Sequence, residues 1–102
     1  MRRRFVWDLA KARSNEAKHH VPFTVATEAF SDSSSIEWID DDVFQEERWK
    51  LLGMTSEGIL IVVYVERSIS SFEDSTDETV IRIISARRAT RHEQQRYRSQ
   101  TR

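Results

Sequence analysis

The run ILIVVYV, residues 59–65, sits inside a 102-residue chain and decides how its neighbours are read. It is apolar throughout and rich in Ile and Val. A strand with one wet face alternates polar and apolar residues; an unbroken run marks a central strand buried on both faces. Ser56-Glu57-Gly58 in front of it reads as a turn, and Arg48 to Met54 as the strand before that turn. Ile36-Glu37-Trp38-Ile39 is a shorter, partly alternating strand, ended by Asp40-Asp41-Asp42. Thr79 to Ser85 is the last strand. Arg67 to Glu78 is polar, with Ser and acids, and is expected to be a mobile loop.

Helices flank this strand block. Phe5-Val6-Trp7 is a short apolar run with strand character. Asp8 then offers an N-cap, and the stretch to His20 is rich in Ala, Lys, Arg and Glu. Lys11, Asn15 and Lys18 share one polar face of that helix. Pro22 breaks it and suits the first turn of a second helix, where Phe23, Ala26 and Phe30 make a core-facing stripe. At the other end, Ala86 to Ala89 reads as a turn. Thr90-Arg91-His92-Glu93 is a capping box that opens a last helix, polar except for Tyr97. The expected fold is a single α+β domain over residues 1–102. Two N-terminal helices and one C-terminal helix lie on one face of a small antiparallel sheet.

Composition narrows the function. Hydrophobic residues make up 38 % and charged residues 32 %, a globular balance. The absence of cysteine removes disulfides and thiolate metal sites and fits a reducing, cytoplasmic setting. No apolar run approaches membrane-spanning length, and the basic start lacks the apolar core of a signal peptide. The formal charge of -1 conceals a segregated distribution. Residues 1–30 hold six basic and three acidic side chains; residues 79–102 hold seven arginines against one glutamate. The segments between them, 31–50 and 51–78, carry seven and six acids against two and one basic residues. If the fold joins its ends, a positive patch forms on a nearly neutral protein.

Arginine offers planar, bidentate recognition of phosphate. Arg87 and Arg88 stand at the expected end of the last strand, and Arg91 in the first turn of the last helix. Arg48 begins one strand and Arg67 follows another; such ends converge in adjacent antiparallel strands. An RNA-cutting site of this kind lets a 2′-hydroxyl attack the neighbouring phosphate, with arginines holding the pentacoordinate charge. Glu47, Glu66 and His19 are candidate proton handlers. Surface ion pairs with the acidic middle are the plainer reading of the same arginines. Trp7 is either core or a stacking platform for a base. Metal sites are not expected: His19 and His20 point to different helix faces, and Asp40-Asp41-Asp42 lacks the spacing of a calcium loop. No glycine-rich phosphate loop or nucleophilic triad is present.

Several stretches in one order resemble the BrnT family of toxins. They are FVWDLAKARSNEAKHHVPF, EAF, EERW with a following glycine, LIVVYVER, and IRIISARRATRHEQQRY. The similarity spans Phe5 to Tyr97. It implies a fold similar to the RelE toxins and small microbial ribonucleases. It implies endoribonuclease activity that halts translation and growth, without a cofactor. The implied partners are RNA, a BrnA-type ribbon–helix–helix antitoxin and, through that antitoxin only, operator DNA. Carried over by position, the resemblance points to Arg48, Arg67, Arg87 and Glu47 as catalytic. Arg88, Arg91, Lys11, Lys18, Trp7 and His19 join as RNA contacts. The chain departs from the family at Leu9, where proline is usual, and at His20, where glycine is common. A non-enzymatic binding module derived from such a toxin, or a structural subunit, remains as the alternative.

Overall fold

The computed structural model describes residues 2–40, 47–70 and 77–100. The described chain runs β1 (Arg2–Val6), α1 (Leu9–His19), α2 (Phe23–Ala26), a 3₁₀ helix (Thr27–Ser31), β2 (Ile36–Asp40), β3 (Arg48–Thr55), β4 (Gly58–Ser70), β5 (Asp77–Arg88) and α3 (Arg91–Ser99). The strands form one five-stranded sheet in the order β1-β5-β4-β3-β2. Strand β4 is central, as its apolar run demands. Leu60, Val62 and Tyr64 point to one face and pack with Val21, Phe23, Ala26 and Ala29. Ile59 and Ile61 point to the other and pack with Leu52, Ala89 and Tyr97.

Several expectations need correction. The sheet is mixed: β2 to β5 pair antiparallel, but β1 joins β5 in parallel. The helices do not share a face, because α1 and α2 cover one side and α3 docks on the other. Strand β4 continues to Ser70 and β5 begins at Asp77, so both ends of the expected Arg67–Glu78 loop are strand. Residues 71–76 of that segment, with Asp41 and Asp42, lie outside the described residues. The expected turn at Ala86 to Ala89 is also mostly strand, since β5 includes Arg87 and Arg88. The second helix is one α turn followed by a 3₁₀ turn, and Pro22 is its N-cap rather than its first residue.

Local chemistry explains the helix ends. The Asp8 carboxylate accepts from the Lys11 N–H and starts α1. His20 ends α1 in the left-handed conformation at φ 60°, where its N–H donates to the Glu16 carbonyl. That is the position at which glycine avoids a steric cost. Asn15 is the buried polar residue of α1. Its amide donates to the carbonyls of Val21 and Ala86, and its oxygen accepts from the Ala86 N–H. One side chain thus serves as a short strand partner for the edge of β5 beyond the end of β1.

Helix α3 is held by polar contacts. Thr90 and Glu93 complete the expected capping box. Glu93 also takes a bidentate pair from Arg87 at 2.9 and 3.0 Å. Tyr97 donates its hydroxyl to Asp32, which pushes the phenol up to about 12. Arg96 lies over the Trp38 ring, 4.3 Å from its centroid. Because α3 is short, it covers one end of its sheet face, and among the described residues no helix lies over the rest.

Two substitutions test this frame. Asn15→Leu orphans both backbone groups of Ala86 and should cost about 2–4 kcal/mol in urea denaturation. Glu93 is held at about 2, below its ordinary 4.5, chiefly by the Arg87 hydrogen bonds. A depressed carboxylate stabilises the fold above the unfolded value and loses that effect as pH falls through the folded one. Glu93→Gln should therefore lower stability by about 1–3 kcal/mol at neutral pH. The gap between variant and wild type should close between pH 4.5 and pH 2.

Candidate functional site

Successive strand side chains alternate between the two faces of the sheet. On β4 the even positions from Leu60 belong to the helix-covered face, so Val63, Val65, Arg67 and Ile69 belong to the other. Register then places their neighbours. Arg82 stands between Val6 of β1 and Val65 of β4. In the next row Val80 stands between Arg4 and Arg67. On β3, Trp49 packs on the helix-covered face, so Arg48, Lys50 and Leu52 point to the arginine side. Arg48 lies one step beyond the Trp49–Tyr64 pair, next to Val65.

The result is a checkerboard. Arg4, Arg48, Arg67 and Arg82 alternate with Val6, Val65 and Val80 across four strands. A groove of about 300 Å³ runs over it, lined by Arg4, Arg67 and Arg82 with an aliphatic floor of Val6, Val65, Ile69 and Val80. Like charges directly opposite each other destabilise a sheet, and diagonal neighbours stand roughly 7–8 Å apart. The valines put the arginines on diagonals. Each diagonal pair still repels by about 0.6–2.4 kcal/mol across the range from water to protein surface. Carboxylates at the rim offset part of this. Glu78 accepts from Arg4 at 3.0 Å, and Asp40 lies 4.0 Å from the Lys50 ammonium. The Arg48 Nε is buried and has no hydrogen-bond partner among the described residues. A buried donor without an acceptor is costly, and Arg48 stands beside the groove rather than in its lining.

The structure brings together only part of the expected site. Arg48 and Arg67 converge as anticipated. Glu47 is exposed immediately before β3, at the same end of the sheet. Arg87 does not join them: it pairs in register with Ile61, six residues of β4 from Arg67, roughly 20 Å away. Its guanidinium is committed to Glu93. Arg88 sits beyond it, donating to the His19 carbonyl and to Glu57. Arg91 is exposed at the first position of α3. Trp7 packs edge-on against Phe23, with ring centroids 5.9 Å apart, in the helix-side core. Lys11, Lys18 and His19 line a separate cleft between α1 and β5. Among the other proton handlers, Glu66 falls on the helix-covered face, beside Tyr64.

Arg4 and Arg82 are the residues that sequence reasoning missed. Alternation within Val80 to Ile83 was signal enough to put Arg82 opposite the core face. Arg4 carried no such signal, because its place depends on the parallel pairing of β1.

Comparison with curated proteins finds no match. A family model described as the BrnT ribonuclease toxin of type II toxin–antitoxin systems matches residues 7–93. That span holds β2 to β5 and, within the checkerboard, Arg48, Arg67 and Arg82. The chain therefore belongs to the BrnT family of ribonuclease toxins.

Proposed function

We propose that this chain is an endoribonuclease that cuts RNA on the arginine checkerboard. The convergence of Arg4, Arg67 and Arg82 over an aliphatic groove, with Arg48 beside it on the same face, carries the reading. Guanidinium groups hold non-bridging phosphate oxygens, and the groove floor accepts the apolar face of a base. Glu47 takes the proton of the 2′-hydroxyl, whose oxygen then attacks the adjacent phosphorus. Arg48 and Arg67 carry the charge of the pentacoordinate state. The P–O5′ bond breaks and the 5′-oxygen takes a proton from solvent water, giving a 2′,3′-cyclic phosphate and a 5′-hydroxyl end. Arginine charge takes the place that a metal ion holds in other nucleases, so cleavage proceeds with chelator present.

In the cell this activity halts translation and growth in the cytoplasm. A BrnA-type ribbon–helix–helix antitoxin neutralises it, and the pair represses its own operator through the antitoxin. The competing reading is a binding module that grips RNA without cutting it. It draws on Glu47, the expected base, which stands outside regular structure.

Purified protein incubated with RNA in EDTA separates the two. Arg48→Ala and Arg67→Ala should each lower the cleavage rate by about 10²–10³-fold with the fold intact. Arg87→Ala should instead lower stability and leave the folded protein active. Bound but uncut RNA would establish the binding module. Binding should also weaken steeply as salt rises.

A further inference from the structure

The face of α1 beside β5 carries Lys11, Ser14, Asn15 and Lys18, at i, i+3, i+4 and i+7. Asn15 is buried and bonded to the β5 edge, whereas Lys11, Ser14 and Lys18 are exposed. With His19, Ile84 and Ser85 these residues line a cleft of about 230 Å³. Its far wall is β5 just past the last β1 pair, Val6 with Arg82. There a bulge at Val63/Tyr64 leaves Ile84 out of register. A β-bulge turns and twists a strand, which opens the edge that β1 no longer covers.

The cleft has a one-sided chemistry. Its lining offers ammonium, imidazole and hydroxyl donors, and no carboxylate belongs to it. A ligand that satisfies such a lining is an anion with several acceptor oxygens. Ser85 is three residues along β5 from Arg82, about 10 Å. The cleft therefore extends the cationic path of the checkerboard around the end of β1. We infer that it is a second phosphate-binding subsite, holding the same RNA strand where it leaves the arginine face. This rests on the RNA reading above and adds a direction to it: the strand runs along β5 toward α1, not toward α3. The subsite is a positioning element, and the reacting phosphate stays on the checkerboard.

The test uses oligonucleotides methylated at every 2′-oxygen, which lack the attacking hydroxyl and cannot be cut. Fluorescence anisotropy compares a trinucleotide with a decanucleotide on the full chain. The Lys11→Gln, Lys18→Gln pair should weaken the decanucleotide by about tenfold and lower its log-affinity against log-salt slope by about 1.4, from two lost phosphate contacts. The trinucleotide should change by less than about twofold. Arginine at both positions should restore the decanucleotide. Unchanged decanucleotide binding overturns the subsite, as does an equal loss at both lengths, which marks diffuse charge. Arg67→Gln reports on the checkerboard separately, since it should weaken both lengths. Wild-type protein that binds neither oligonucleotide overturns both proposals.

Discussion

Everything in this fold depends on the burial of β4. Its first half, through Val62, lies between two layers of side chains, with α1 and α2 on one side and α3 on the other. Its second half keeps the helix-side cover at Tyr64 and loses the other. The same period-two alternation that fills the core therefore sends Val65, Arg67 and Ile69 onto a part of the sheet face that no helix of the described residues covers. Among the described residues that part of the face is left uncovered because α3 is only nine residues long and stops short.

That shortness makes the docking of α3 a question of polar geometry. Tyr97 supplies its buried anchor, and polar contacts join it: Glu93 with Arg87, Tyr97 with Asp32, Arg96 over Trp38, and the C-cap Gln100 donating to the Ser34 carbonyl. Arg87 belongs to this clamp. A guanidinium held by two charge-assisted hydrogen bonds is poorly placed to receive a phosphate as well. Arginines that look alike in sequence thus divide by their neighbours. Arg87 and Arg88 are tied to the carboxylates of Glu93 and Glu57, whereas Arg48 buries a donor that has no acceptor among the described residues.

Legibility in the sequence followed locality. The central strand, the Asp8 cap, the capping box at Thr90 and the β3–β4 turn are written within a few adjacent residues, and each was readable. The parallel pairing of β1 was not. Its partners stand more than seventy positions apart, as in Arg4 with Val80, and a strand that begins with three arginines lacks an apolar signature. The reach of β5 through Arg88 was hidden for a similar reason: Asn15 stabilises that edge from a distant helix. Half of the checkerboard was legible, since Arg48 and Arg67 bracket strand ends that hairpin pairing brings together. Arg4 depended on the pairing that local reasoning could not supply, and Arg82 on an alternation that the arginine-rich end of the strand obscured.

The central claim is that phosphate meets the checkerboard and not the arginines beside α3. Nuclear magnetic resonance of the arginine Nε–H groups during titration with uncleavable RNA reads this directly. The account predicts shifts at Arg4, Arg48, Arg67 and Arg82, largest at Arg48, whose Nε lacks a partner among the described residues. Arg87 should stay still, held by Glu93. Movement at Arg87 and Arg91 with Arg48 and Arg67 unchanged would contradict it.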